Sequence, residues 1–343
     1  MGAERPEIVP LRAVPTKDVL ALLETCLGPG AVGRSEAFWR WKHEESPFGP
    51  SPGLVALAGG EPVAVRVFLR WRWRSGSQEL PAVRAVDTAT HPAWRRQGLF
   101  RRLSLELVER SRREGAAFVF NTPNPKSRAG YLSMGWSDAG RVPLLARVLR
   151  PGRLAAALFS RPPGREREAQ PPPLSPGGLE ELLADPALEP FLAAWATGEP
   201  RLHTPRTPAY LRWRYARAPG LRYGALWRLE GTSGAVIIAR GRRRRGLAEV
   251  TLSEMLVSRD PAGLGAAEGL LARFAAAGEA DYLAAVAAAG SPERAALVGA
   301  GFRALPWGPR LTVRPLDKGS ADDGPDPRSI ASWRPAIGDL EVF

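Results

Sequence analysis

The stretch VDTATHPAWRRQGLF, residues 86–100, decides the reading of this 343-residue chain, because it passes from a strand through a tight basic loop into a helix. Proline cannot extend a ladder, so the strand ends at His91-Pro92, and Gly98 lets the backbone turn closely beneath a bound group. Leu99, Leu103 and Leu107 then recur at helical spacing, with Arg101, Arg102, Glu106, Glu109, Arg110, Arg112 and Arg113 on the polar side, and Gly115 ends the helix. The free amides of the helix start, together with Arg95, Arg96 and Arg101, make an anion site suited to a pyrophosphate.

The next element sharpens this. Residues 116–121 form a short apolar strand that opens into TPNPKSRAGYLSMGW, where Asn124, Ser127, Tyr131 and Gly135-Trp136 follow the spacing N-x-x-S-x-x-x-Y-x-x-x-G-W. That spacing sets Ser127 and Tyr131 one helical turn apart on one face. Across residues 54–136 the two stretches, in this order, resemble the GNAT superfamily of acyl-CoA-dependent N-acyltransferases. The first is similar to that family's R/Q-x-x-G-x-G/A loop for the coenzyme A pyrophosphate, matched at Arg95 and Gly98. The second is similar to its N-x-x-A-x-x-x-Y-x-x-x-G-F signature, matched at Asn124, Tyr131 and Gly135. Phe100 stands where a small residue is usual, which would narrow the cradle, and Ser127 where alanine is usual.

The resemblance implies acetyl-CoA as acyl donor. It also implies a binding set of Ala89, Thr90, Arg95, Arg96, Gln97, Gly98, Leu99, Phe100, Arg101 and Asn124, the first two through strand amides exposed where the fourth strand splays from the fifth. Acyl transfer to an amine needs a base, oxyanion stabilisation and a proton for the departing thiolate. Tyr131 is the candidate acid. Asp87 is the candidate base, on the expectation that desolvation raises its pKa, with Glu44, Glu45 and His91 as rivals. Asn124 also reads as a helix cap, and the arginines of the loop as a solvated basic face, but the motif favours the ligand role for the first and the position around Gly98 favours phosphate contact for the second.

Composition bounds the alternatives. The length allows two domains; no run of eighteen apolar residues occurs and the N-terminus lacks an apolar signal core, so a cytoplasmic protein without a membrane span is expected. One cysteine, Cys26, forms no internal disulfide, and His43, His91 and His203 lack ligand spacing, so no metal is expected. The net charge of +13 is mostly arginine and no nucleic-acid reader motif accompanies it, which leaves an anionic coenzyme as the economical partner.

Thr16 is read as the cap of a helix over 16–27, and a second short helix over 35–43 carries Phe38, Trp39 and Trp41. Strands follow at 54–58, 62–74 and 78–90. In the strand over 62–74 Trp71 and Trp73 alternate with Arg70, Arg72 and Arg74, placing the two types on opposite faces, the tryptophans against a helix or a second domain. Residues 151–178 read as a proline-rich linker, after which the pattern restarts. Tyr210-Leu-Arg-Trp-Arg-Tyr215 parallels Phe38-Trp-Arg-Trp-Lys-His43, and residues 295–302 parallel residues 129–136. In that second copy Leu297 falls where Tyr131 stands and Gly290 where Asn124 stands, and its loop carries the acidic Asp260. The expected architecture is therefore α/β: two tandem GNAT-like domains (1–150 and 179–316), each a mixed, mostly antiparallel sheet flanked by helices, then a tail (317–343) with Trp333 and Phe343 as docking groups. The expected activity is acetyl transfer from acetyl-CoA to a primary amine by direct attack. A coenzyme A-binding sensor or scaffold, or an aminoacyl transferase of paired-domain type, are the alternatives.

Overall fold

Alternation and turn chemistry build the first sheet. Strand β1 (Glu7–Pro10) lies beside β2 (Gly53–Ala58), which turns through Gly59-Gly60, both left-handed at φ 56° and 83°, into β3 (Glu61–Ser75). β4 (Gln78–Thr90) returns antiparallel to β3, and β5 (Phe118–Asn121) joins parallel to β4. Helices α1 (Thr16–Leu27) and α2 (Glu36–His43) cover one face. Helices α3 (Leu99–Arg113) and α4 (Pro125–Ser133) cover the other. The computed structural model describes residues 5–28, 35–159, 167–168, 178–277, 280–316 and 324–340; Phe343 lies outside the described residues. Thr16 is the first helical residue of α1 rather than its cap, a position held by Pro15.

The second sheet repeats the plan. After β6 (Ser137–Arg141), β7 (Leu144–Val148), helix α5 (Pro151–Phe159) and the short β8 (Arg167–Glu168), the chain enters α6 (Leu179–Ala184), α7 (Leu188–Ala196) and α8 (Pro208–Leu211), continued by a π turn at Arg212–Ala216. β9 (Gly224–Glu230), β10 (Ser233–Arg244) and β11 (Leu247–Val257) form a meander. There follow α9 (Pro261–Ala276), β12 (Tyr282–Val286), α10 (Pro292–Gly299), β13 (Arg303–Ala304), β14 (Arg310–Pro315) and α11 (Ile337–Leu340).

The two halves interlock. The first sheet runs β1-β2-β3-β4-β5-β14-β6, so a strand from the end of the second half sits between β5 and β6; the second sheet takes β7 from the first half between β12 and β13. The units 1–150 and 179–316 therefore each lend the other a strand instead of standing in series. At the crossing the Val142 amide donates to Pro309, and a Cβ on Gly308 would collide with the Val142 carbonyl, so only glycine fits there. A pseudo-twofold contact follows from the repeated motif: Trp41 Nε1 donates to the Trp213 carbonyl (2.7 Å) and Trp213 Nε1 to that of Trp41 (2.8 Å), their rings stacked at 5.3 Å. Trp71 meets Tyr210 and Trp213 across the same seam, and Trp73 is enclosed by Phe120 and by Trp333 of the tail. Trp333 thus docks inside its own chain.

Candidate active site

The loop after β4 opens as its residue types require. Thr90 ends the strand, Pro92–Trp94 makes one 3-10 turn, and two left-handed residues, Arg96 at φ 65° and Gly98 at φ 76°, aim the chain into α3. A non-glycine residue in that region costs about 1–2 kcal/mol. No side chain caps α3. Its first-turn amides are therefore left for an anion, and the space where a Gly98 Cβ would stand is empty for 4 Å. Arg95 and Gln97 are tied only to carbonyls of the same loop (Thr90 at 3.3 Å, Ala93 at 3.4 Å), and Arg96 makes no bond among the described residues. Arg101 donates to Ser133 at 3.2 Å. Leu99 is buried in the core beneath.

Phe100 does not enter the cradle. Its ring turns toward α4, edge-on to Tyr131 at 5.6 Å and against Gly130, where a Cβ would come within 3.3 Å. The expected narrowing is thus absent because glycine at position 130 leaves room beside the helix.

Strand β4 pairs with β5 over three positions only, Ala82 to Arg84, so the β5 side of residues 85–90, Ala89 and Thr90 included, carries no ladder partner. A bulge between Arg66 and Val67 of β3, opposite Asp87, strengthens the local twist. Tyr131 is buried on the α4 side, and its hydroxyl accepts from Arg66 Nη2 at 2.7 Å; Arg66 Nη1 donates to the Val86 carbonyl at 3.2 Å. One guanidinium therefore links the Tyr131 hydroxyl to the diverging edge of β4. Asn124 caps α4, accepting from the Ser127 amide (2.9 Å) and hydroxyl (3.1 Å).

Asp87 requires a correction. Its carboxylate lies between Lys42 Nζ (2.7 Å) and His43 Nε2 (2.9 Å) of α2. Burial pushes its pKa up, but the Lys42 charge and the hydrogen bond from His43 outweigh burial and hold it well below the usual carboxylate range. A carboxylate so held is a poor proton acceptor, so the expected rise is reversed by two neighbours that the linear sequence places 44 and more residues away. His43 is itself lowered, chiefly by burial, and its Nδ1 faces the Ser51 hydroxyl at 3.0 Å. His43 and Ser51 line a cavity of about 540 Å³ with Trp39, Arg70, Leu107 and Arg110, toward the C-terminal half of α3 and away from the Gly98 loop. Of the rival bases, Glu44 borders that cavity and Glu45 is exposed, while His91 accepts from the Ala93 amide as a turn residue.

The corresponding helix start in the second half is capped by a side chain. Asp260 caps α9 through the Gly263 amide (2.8 Å), and its pKa falls to about 2, chiefly from the Ser233 hydroxyl. A cleft of about 900 Å³ opens there, but Arg201 and Arg259 on its wall are both paired with Glu199. Leu297 is buried, and the cap of α10 falls on Ser291, one residue after Gly290. Among the described residues, no group of three or more His, Cys, Asp or Glu could hold a metal, and no helix is long and apolar enough to cross a membrane.

An uncapped helix start, a strand parting from its neighbour and a buried tyrosine beside it thus meet in one place. Residues 8–139 match the model of an acetyltransferase (GNAT) domain. No curated protein matches the sequence. Among solved structures, a GCN5-related N-acetyltransferase from Anabaena variabilis is 11% identical, covering 91% of this chain and 73% of its own, with a TM-score of 0.63. A GCN5-related N-acetyltransferase from Kribbella flavida is 17% identical over 91% and 72%, with a TM-score of 0.55. An N-myristoyltransferase from Saccharomyces cerevisiae with bound myristoyl-CoA is 14% identical over 99% and 86%, with a TM-score of 0.56. At these identities the likeness is one of fold, and it extends through both halves.

Proposed function

We propose that this protein is an N-acetyltransferase that moves the acetyl group of acetyl-CoA directly to a primary amine, with one active site per chain, in the first half. The observation that carries this reading is the joint placement of the uncapped α3 start at Gly98, the unpaired edge of β4 and the Tyr131 hydroxyl. In this reading the α3 amides with Arg95, Arg96, Gln97 and Arg101 receive the pyrophosphate, while Leu99 and Phe100 brace the loop from below. The amides near Ala89 and Thr90 take the pantetheine arm and polarise the thioester carbonyl. Asn124 fixes the start of α4 and has its amide nitrogen left for the arm.

The amine nitrogen adds to the thioester carbon, and the C–S bond then breaks with its electron pair going to sulfur. Tyr131 gives sulfur a proton. The proton lost by the nitrogen passes to solvent, from which the phenolate recovers one, so amine and thioester become amide and thiol. Asp87 keeps β4 pinned to α2 through Lys42 and His43, which fixes the bulge from which the 88–90 amides project. The choice of acetyl over longer chains is supported by the family model, described as an acetyltransferase domain, while one neighbour of the same fold holds a myristoyl thioester. Thiol release from acetyl-, octanoyl- and myristoyl-CoA across a primary amine panel tests it: acetyl-CoA turnover that falls with Tyr131→Phe is expected, and turnover confined to the long chains would refute the donor assignment.

A further inference from the structure

Arg66 is a fully buried arginine whose described contacts include no carboxylate, and the sequence motifs do not contain it. It sits in mid-strand on β3, 1% exposed. Two other buried arginines are neutralised: Arg206 bonds Glu254 and Asp339, and Arg334 bonds Glu199 and Glu293. Arg66 has only the Val86 carbonyl, the Tyr131 hydroxyl and the faces of three rings, Phe68, Phe100 and Tyr131, at 5.1, 5.4 and 5.3 Å. Its Nε is buried without a partner. Ring faces and one carbonyl compensate a buried charge in part. A charge left short of a counter-ion is expensive for the fold, and such a group is held where an anion arrives or forms.

We infer that Arg66 is a positioning residue for the transfer step: it directs the Tyr131 proton toward the coenzyme sulfur and supplies the positive charge against which negative charge develops there. The inference rests on the acyltransfer reading above. A phenol oxygen that accepts from a guanidinium cannot aim its own proton at that guanidinium, so the proton points elsewhere. When Tyr131 gives this proton to sulfur, a guanidinium that donated to a neutral phenol comes to face a phenolate, and the bond strengthens as an ion pair. The gain arises as the C–S bond breaks and not on binding, so it favours the transition state over the bound donor. The three ring faces exclude water and keep the charge effective.

The test compares coenzyme A with desulfo-coenzyme A by calorimetry from pH 6 to 9, in the wild-type chain, Arg66→Met and Arg66→Lys. In the wild type the thiol form should be preferred by about tenfold at the alkaline end, with the preference shrinking as pH falls, because the buried charge draws the thiol toward thiolate. In Arg66→Met that preference should fall within about twofold and lose its pH dependence, desulfo-coenzyme A binding being unchanged; Arg66→Lys should keep part of it. In turnover, Arg66→Met should lower kcat about thirtyfold at unchanged KM for acetyl-CoA, and cost less than about threefold when Tyr131→Phe is already present. Equal binding of the two coenzyme forms by the wild type at every pH would overturn the inference while leaving the coenzyme site intact, and this needs no variant to fold. Binding of neither form would overturn the acyltransfer reading, and this inference with it. Additive losses from Arg66→Met and Tyr131→Phe would also refute it, since a merely structural arginine is indifferent to the tyrosine hydroxyl.

Discussion

Replacing Asp87 with asparagine separates two roles for that residue. Its carboxylate is the counter-ion of Lys42, whose side chain is 7% exposed, and the acceptor for His43, which is 2% exposed. Asp87→Asn keeps the shape and removes the charge. It takes from the buried Lys42 ammonium the carboxylate that pairs with it, a change that costs about 3–5 kcal/mol. The loss should disappear in large part in the Lys42→Met, Asp87→Asn double variant, since removing both members of the pair removes the buried charge with its counter-ion. The pH dependence carries the same signature. The folded-state pKa of Asp87 lies below its unfolded value, so its contribution is complete above about pH 4 and is lost as pH falls below that. Urea unfolding at pH 7 and at about pH 2.5, below the unfolded pKa, read by tryptophan fluorescence on the single and double variants, measures both effects. An Asp87→Asn chain as stable as the wild type would refute the anchoring argument, and if its turnover were abolished as well, Asp87 would return as the base.

Further expectations concern single elements. Tyr131→Phe should lower kcat by about 10²-fold or more with acetyl-CoA affinity within threefold, checked by steady-state kinetics beside calorimetry. Asp260→Ala should remove the α9 cap at a cost of about 1 kcal/mol, seen as an earlier urea midpoint, and leave coenzyme stoichiometry at one. Glu254, fully buried, is pushed up to about 7, chiefly by burial and further by the Asp339 charge, with the Arg206 charge opposing. Because its folded pKa is raised, the folded chain binds the extra proton, and stability from this group falls as pH rises from about 5 to 7. Glu254→Gln should flatten that part of a stability profile; a parallel profile for the variant would contradict it.

Local patterns made much of this legible. The strand, loop and helix of residues 86–113 could be read because proline, glycine and leucine spacing act within a few residues, and the Trp71/Trp73 face followed from a period of two. What escaped depends on contacts distant in sequence. Arg66 lies in the same strand as Arg70, Arg72 and Arg74 and alternates in step with them; only the covering helices α3 and α4 separate it from its more exposed neighbours. A signal was present, since Val63, Ala64, Val65, Val67, Phe68 and Leu69 surround it with apolar residues on both faces, the mark of a strand covered on both sides. The strand exchange had no local mark at all: β7 and β14 look like ordinary closing strands, and the crossing shows only as Gly308 against Val142. Asp87 misled for the same reason, its two partners lying on a helix that no periodicity connects to β4.

The central claim is a single coenzyme site at the Gly98 loop, and calorimetric titration of acetyl-CoA into the wild-type chain and an Arg96→Glu, Gly98→Trp double variant tests it most directly. The account predicts one site per chain in the wild type and none in the variant. Two sites per chain, binding that survives in the variant, or no binding to the wild type would contradict it.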